Sequence, residues 1–116
     1  MLSWEEIEQK YCPLEIDKGW FNIVEPIFEY IENANKENTG ENSPKIEVRQ
    51  CKEKFGTLRF YTTNATEELN NLIKEAERLS WNTCEICGKP GKLRHRNYWL
   101  KTVCDKCAEE YGYSSS

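Results

Sequence analysis

The stretch Cys84-Glu85-Ile86-Cys87-Gly88, with its counterpart Cys104-Asp105-Lys106-Cys107, is the strongest structural signal in the chain. Each half is a Cys-x-x-Cys element, and sixteen residues separate the two elements. Two thiolates on one tight turn can both reach an ion at about 2.3 Å, and two such turns complete a tetrahedron. The spacing therefore predicts one structural Zn²⁺ bound by Cys84, Cys87, Cys104 and Cys107.

The segment between the two cysteine pairs has the pattern of a β-hairpin. Residues 92–96 and 98–103 are predicted to be short strands around Asn97, after a turn at Pro90-Gly91. The pattern predicts a zinc ribbon with a last helical turn that ends before Gly112. A module of about 30 residues has too little core to fold alone. Zinc binding, worth roughly 10–16 kcal/mol in such peptides, offsets that deficit.

Four protein ligands leave no open position on the ion, so the pattern favours a structural metal over a catalytic one. Disulfides are the rival chemistry for these cysteines, but the N-terminal sequence lacks the basic and apolar segments of a secretory signal. We therefore expect reduced thiols and a cytoplasmic protein. No apolar run approaches the roughly 20 residues that span a bilayer, so no membrane association is expected.

Three further residues with reactive or metal-binding side chains lie outside this pattern. Cys12 and Cys51 are interpreted as small buried apolar residues, with a redox role as the alternative. His95, the single histidine, is interpreted as a surface residue because a fifth ligand would be redundant. Neither a catalytic carboxylate pair nor a glycine-rich phosphate loop is recognisable, and the sequence therefore favours a protein that is not an enzyme.

The predicted fold class is α+β, with helices packed on a β-hairpin in residues 1–82 and the four-cysteine zinc ribbon in residues 83–116. A capping box at residues 3–6 predicts a first helix over about 4–11. A second helix is expected from about residue 20, kinked or interrupted at Pro26. A polar loop is expected from Asn33 to Pro44.

The rest of the N-terminal region is predicted to be a hairpin and a third helix. Residues 46–50 and 58–62 alternate apolar and polar side chains, as half-buried strands do, with Gly56 in the turn between them. Asn64 is the predicted cap of the third helix, which continues to about Trp81. Its apolar stripe consists of Leu69, Leu72, Ile73, Ala76 and Leu79.

Charge is distributed unevenly along the chain, which has a formal net charge of −4. Residues 1–82 carry 10 Lys and Arg against 16 Asp and Glu, whereas residues 83–116 carry 6 against 4. Four thiolates and one Zn²⁺ would bring the C-terminal part close to neutrality. Nucleic-acid-binding proteins normally carry a clear positive excess, so the net charge favours a protein partner.

Basic side chains are nevertheless concentrated on the two predicted hairpins. If both hairpins faced the same side, their cations and aromatic rings would suit single-stranded nucleic acid, which is the alternative function. Tyr98 and Trp99 are predicted to belong to the core of the ribbon instead. The candidate residues for binding nucleic acid or a protein partner are Lys52, Lys54, Arg59, Lys92, Arg94, Arg96 and Lys101.

Three phrases of the sequence carry a resemblance: residues 17–21 (DKGWF), residues 52–61 (KEKFGTLRFY), and residues 84–88 (CEICG) with 99–105 (WLKTVCD). Together they resemble a group of small bacterial and phage or prophage proteins with a C-terminal zinc-ribbon-like module. Many members have His where this chain has Cys107. The resemblance implies an accessory protein that binds a host or phage protein, for example as an inhibitor of a host defence or regulatory complex, and implies no particular activity.

Overall fold

The computed structural model describes residues 1–38 and 44–114, which form an α+β fold as predicted. No helix in these two ranges is long and apolar enough to cross a membrane. A 3₁₀ turn at Lys18–Trp20 precedes the second helix. The elements, in chain order, are α1 (Trp4–Lys10), β1 (Leu14–Glu15), α2 (Phe21–Glu37), β2 (Glu47–Lys54), β3 (Thr57–Thr63), α3 (Glu67–Ser80), β4 (Lys92–Arg96), β5 (Trp99–Val103) and α4 (Asp105–Tyr111).

The starts of α1 and α3 show which helix caps the sequence predicts correctly. The capping box of α1 is confirmed, because the Glu6 N–H donates to Ser3 Oγ at 3.2 Å and the Ser3 N–H donates to Glu6 Oε1 at 3.1 Å. The cap predicted at Asn64 is wrong. Thr66 caps α3 by accepting from the Leu69 N–H at 3.0 Å. Asn64 instead adopts a left-handed conformation with φ 61° and belongs to the preceding turn.

Helix α2 continues through Pro26 and ends at Glu37, so the predicted interruption is wrong. The predicted loop also begins too early, since residues 33–37 are helical, and residues 39–43 of that loop lie outside the described residues. A proline inside a helix costs about 3 kcal/mol. Burying the apolar face of α2 is worth roughly 1.5–3 kcal/mol for each large side chain and outweighs that cost. The buried apolar residues are Val24, Ile27, Phe28 and Ile31.

The N-terminal sheet has three strands in the order β1-β2-β3, and β1 is an element that the sequence analysis missed. β1 pairs parallel with β2, and β2 pairs antiparallel with β3 through a turn in which Gly56 has φ 83°, as predicted. One sheet face packs on α2, with the Phe28 and Phe60 ring centroids 5.2 Å apart. Helix α3 protects the free edge of β3, since Ser80 Oγ accepts from the Leu58 N–H at 3.0 Å.

Cys12 and Cys51 belong to this core, which confirms their interpretation as small buried residues. Burial raises the pKa of Cys12 to about 11 and raises the pKa of Cys51 still further. At pH 8 a thiol with pKa 11 is ionised in only about one molecule in a thousand, and the thiolate is the reactive form. Both thiols are therefore protected from chemical modification in two ways, because packing blocks access to them and because they stay protonated.

We expect alkylation at pH 8 without denaturant to leave Cys12 and Cys51 unmodified, even after a chelator has exposed the other four thiols. Intact mass spectrometry should count four added groups under those conditions and six in denaturant. The denatured sample is the control for reagent access. Modification of Cys12 or Cys51 in the folded, metal-bound protein would contradict their placement in the core.

The C-terminal hairpin and its cysteine turns are held against the N-terminal region by directed hydrogen bonds. The Gly19 N–H donates to the Glu85 carbonyl at 2.7 Å, and the indole N–H of Trp20 donates to the Thr83 carbonyl at 2.8 Å. On the other side, Thr102 Oγ1 donates to the Gly56 carbonyl at 2.7 Å. The cysteine-bearing module is thus anchored at two separate points.

Candidate metal centre

The four cysteines of the two Cys-x-x-Cys elements converge in space. Their Sγ atoms all lie within 4.8 Å of one another, and those of Cys87 and Cys104 are 3.6 Å apart. Four sulfurs in a tetrahedron around Zn²⁺, with bonds of about 2.3 Å, would be separated by about 3.8 Å. All six cysteines of the chain are free thiols. The predicted set of Cys84, Cys87, Cys104 and Cys107 is therefore positioned to bind one metal ion.

The first cysteine turn depends on Gly88. Its φ of 84° lies in the left-handed region that favours glycine, and its N–H donates to the Cys84 carbonyl at 2.9 Å. The Cys84 N–H donates in turn to the Lys89 carbonyl at 2.7 Å. These two bonds close the turn and bring Cys84 and Cys87 to the same side.

The second cysteine turn coincides with the start of α4. Cys104 is the N-cap, and its Sγ accepts from the Cys107 N–H at 3.4 Å. That hydrogen bond lowers the pKa of Cys104 to about 7, which favours the thiolate that a metal requires. α4 ends at Tyr111 and is capped by Gly112, where φ is 80°, which confirms the predicted last helical turn.

The cluster is enclosed on most sides. Cys84, Cys104 and Cys107 are buried, and Cys87 is exposed. Val103, Ala108, Ile86 and Tyr113 pack around the sulfurs. His95 lies outside the four-sulfur cluster, and its backbone pairs with Ser114 through hydrogen bonds of 2.9 and 2.7 Å. Its side chain is partly buried rather than fully on the surface.

A buried carboxylate inside the first cysteine turn is a feature that the sequence analysis missed. Glu85 is only 2% exposed, and its Oε2 accepts from the Asp17 N–H at 2.9 Å. Lys101 Nζ lies 2.7 Å from Asp17 Oδ2 and 3.3 Å from Glu85 Oε1, where the contact is an ion pair without a directed hydrogen bond. Burial raises the pKa of Glu85, while the Asp17 N–H and Lys101 oppose that shift.

This triad of Asp17, Glu85 and Lys101 connects the metal module to the N-terminal region. The available sequence signal was Gly19, two residues after Asp17, because a glycine at the start of a helix is compatible with a close approach of another backbone. A Cβ at Gly19 would lie well under 3.0 Å from the carbonyl oxygens of Cys84 and Glu85. The first cysteine turn therefore packs directly on the backbone of residue 19.

The seven cations predicted to bind a partner have different environments. Arg94 is buried, donates to the Val103 carbonyl at 3.1 Å and pairs with Asp105. Arg96 donates to the Tyr111 carbonyl at 3.1 Å. These two arginines and Lys101 therefore make contacts within the protein. Lys92 is exposed, and the remaining three, which are Lys52, Lys54 and Arg59, all lie on the β2–β3 hairpin.

The prediction that Tyr98 and Trp99 form the core of the ribbon is wrong. Tyr98 is fully exposed in the β4–β5 turn, and Trp99 is 71% exposed. The four-cysteine cluster, with Val103 and Ala108, takes the place of an aromatic core in this small module. Tyr98, Trp99 and Leu100 line a groove of about 320 Å³ together with Phe55 of the β2–β3 turn. We name this surface the aromatic end, and it comprises Phe55, Tyr98, Trp99 and Leu100.

Comparison of the chain with protein-family models, with curated proteins and with solved structures gave no match. The resemblance to phage and prophage proteins therefore stays a prediction.

Proposed function

We propose that this chain is a zinc-stabilised protein without enzymatic activity that binds another protein through its aromatic end. The metal assignment rests on the donor set, because four converging thiolates are typical of structural Zn²⁺ sites. Bound Zn²⁺ would supply cross-links between the two cysteine turns. Since four protein sulfurs complete its coordination, the ion has no position left for water or substrate.

The exposed aromatic end is the observation that carries the binding proposal. Large aromatic side chains dominate the energetic centres of protein interfaces, because they bury much area at a small cost in side-chain entropy. Here Phe55 of one hairpin and Trp99 of the other come together at one groove. Exposed apolar residues are ordinary when scattered, whereas a contiguous group of them marks an interaction surface.

The metal module also fixes the position of this surface. The Thr102 hydroxyl bonds to the Gly56 carbonyl, and the Leu93 side chain packs where a Gly56 Cβ would be. These contacts hold the β2–β3 turn beside the β4–β5 hairpin. A preorganised surface loses less entropy on binding than a flexible one, so a structural metal supports binding here without touching the partner.

We expect the double variant Tyr98→Ser/Trp99→Ser to lose a bacterial protein that the wild-type chain retains in an affinity capture from lysate. Loss of two central aromatic anchors typically weakens an interface by 2 kcal/mol or more, which is roughly thirtyfold. The matched control is Tyr111→Ser, which removes an exposed tyrosine of α4 away from the groove. Equal retention by the double variant, or no protein retained by the wild type, would refute the proposal.

A role as a phage or prophage accessory protein, including inhibition of a host complex, rests on the resemblance alone and stays a prediction. The cytoplasmic location, which does not come from the resemblance, also stays a prediction. Nucleic-acid binding, the alternative function, finds support on a different surface of the molecule, the outer face of the N-terminal sheet.

A further inference from the structure

The β2–β3 hairpin has one face in the core and one face towards solvent. Side chains alternate along each strand, and residues opposite one another in the register share a face. Cys51 and Phe60 are opposite one another and buried, so the neighbouring pair, Lys52 and Arg59, points outward. Lys54 is opposite Thr57 on that same outer face. We name this surface the basic face, and it comprises Lys52, Lys54, Arg59 and Tyr61.

The three cations of the basic face are not neutralised by the protein. Among residues 1–38 and 44–114, no carboxylate oxygen lies within 4.0 Å of the Lys52, Lys54 or Arg59 nitrogens. Like charges directly opposite one another in a sheet are destabilising, and Lys52 faces Arg59 in this way. Glu15 of β1 is in register with Lys52, and Glu77 lines the cleft beside Arg59, so two acidic residues stand near the three cations. A positive excess remains, and an anionic ligand would relieve it.

Two exposed aromatic rings lie beside these cations. Tyr61 is 43% exposed and Trp81 is 58% exposed. Both line one cleft of about 320 Å³, together with Arg59. Glu77 also lines this cleft, but its Oε2 accepts from the Phe60 N–H at 3.4 Å and so serves the edge of the sheet.

We infer that the basic face and Trp81 form a binding site for single-stranded nucleic acid, with the cations facing phosphates and the two rings stacking on bases. An acidic protein segment would satisfy the cations but would leave the rings unused. In a duplex the base faces are stacked on one another and cannot reach a protein ring. Lys52 Nζ lies 5.9 Å from the Tyr61 ring centroid, so a cation and a ring are already neighbours here. Cations without a carboxylate partner, interleaved with exposed rings, are the combination that single strands require. Lys54 borders both surfaces, because it also lines the groove of the aromatic end. The inference rests on the cleft of Arg59, Tyr61 and Trp81 with Lys52 beside it, and it does not depend on the proposed function.

The probe is a fluorescein-labelled oligothymidine or oligouridine of about 15 nucleotides, a length within the range of known single-strand sites. Fluorescence anisotropy should show binding to the zinc-loaded full chain at low salt. For three phosphate contacts, the logarithm of the association constant should fall with the logarithm of the salt concentration with a slope of about −2. Arg59→Ala should reduce that slope by about 0.7, since it removes one contact.

Tyr61→Ala tests the stacking contribution, and we expect it to weaken binding by roughly 5- to 150-fold, the range measured for loss of one base–aromatic stack. Lys74→Ala is the matched control, because Lys74 is exposed on α3 and its loss changes the net charge equally. Circular dichroism must show that each variant is folded. Tyr98→Ser/Trp99→Ser should bind the oligonucleotide as the wild type does, which separates this site from the aromatic end.

The inference is overturned if no anisotropy change occurs at low salt up to about 50 μM protein, half the dissociation constant of weak non-specific binders. It is also overturned if Lys74→Ala weakens binding as much as Arg59→Ala does, because the attraction would then be general. Equal affinity for duplex DNA would exclude the stacking role of Tyr61 and Trp81. Competition by oligoglutamate with no binding of oligonucleotide would assign the face to an acidic protein segment instead.

Discussion

Replacing Cys84 by serine is expected to remove the metal and to unfold β4, β5 and α4 while the N-terminal core remains formed. Elemental analysis after dialysis should show about one equivalent of zinc in the wild type and close to none in Cys84→Ser. A complete four-thiolate site contributes roughly 10–16 kcal/mol of apparent binding free energy, and the C-terminal module has only a few buried apolar side chains besides its cysteines. No comparable source of stability replaces the metal.

Circular dichroism distinguishes local from global unfolding in this variant. α4 contributes 7 helical residues, whereas α1, α2 and α3 contribute 7, 17 and 14. The helical signal of Cys84→Ser should therefore fall by only a small share. The thermal midpoint should also fall, because the N-terminal region loses the hydrogen bonds that the Gly19 N–H and the Trp20 indole N–H donate to Glu85 and Thr83. Each such bond contributes about 0.5–1.5 kcal/mol net.

Cys12→Ser is the matched control for the metal prediction, since it makes the same substitution at a buried cysteine outside the cluster. It should keep one full equivalent of zinc. If Cys84→Ser also kept one equivalent, or if the wild type contained no metal, the four-cysteine site and the structural role of the ion would both be wrong.

Replacing Gly19 by alanine is expected to weaken the contact between the metal module and the N-terminal region without loss of the metal. The new Cβ would clash with the carbonyl oxygens of Cys84 and Glu85, and backbone atoms cannot move aside as a flexible side chain can. Overpacking of this kind typically costs 1–3 kcal/mol or more. For a chain of this length we expect the thermal midpoint to fall by roughly 5–15 °C.

Gly112→Ala is the control for the Gly19→Ala measurement. A Cβ at Gly112 would meet only the Arg96 Cδ at 3.8 Å, so its cost comes from the positive φ alone, about 1–2 kcal/mol. Zinc analysis should give one equivalent for both variants, because no cysteine is replaced. A wild-type midpoint for Gly19→Ala would show that the first cysteine turn does not pack on residue 19 in solution.

Local sequence signals predicted the features that depend on neighbouring residues. The capping box of α1, the left-handed glycine of the β2–β3 turn and the end of α4 before Gly112 each involve residues within a few positions of one another. Predictions that needed a distant partner were less reliable. Pro26 was expected to kink or interrupt α2, but the burial of the helix's apolar face, which only the packed core reveals, keeps the helix continuous.

The basic residues show the same dependence on distant contacts for the candidate binding surface. Lys52 and Arg94 look alike in the sequence, as cations on strands of predicted hairpins. In the fold, Arg94 is buried against Val103 and Asp105, whereas Lys52 lies on the outer sheet face and forms no ion pair with a carboxylate of the described residues. For Tyr98 and Trp99 the error runs the other way: their aromatic side chains predicted burial in the core, and both are exposed in the structure. Burial depends on which surfaces meet, and strand alternation alone does not specify that.

The candidate metal centre is the part of this protein that its sequence determined. Two cysteines separated by two residues on one tight turn place both sulfurs on the same side, within reach of a single ion. The tertiary structure decided what surrounds that centre. Gly19 and Asp17 are far from Glu85 in the chain and meet it only when the module docks. The surfaces left for partners are those that docking does not cover, and for that physical reason they appear only in the folded molecule.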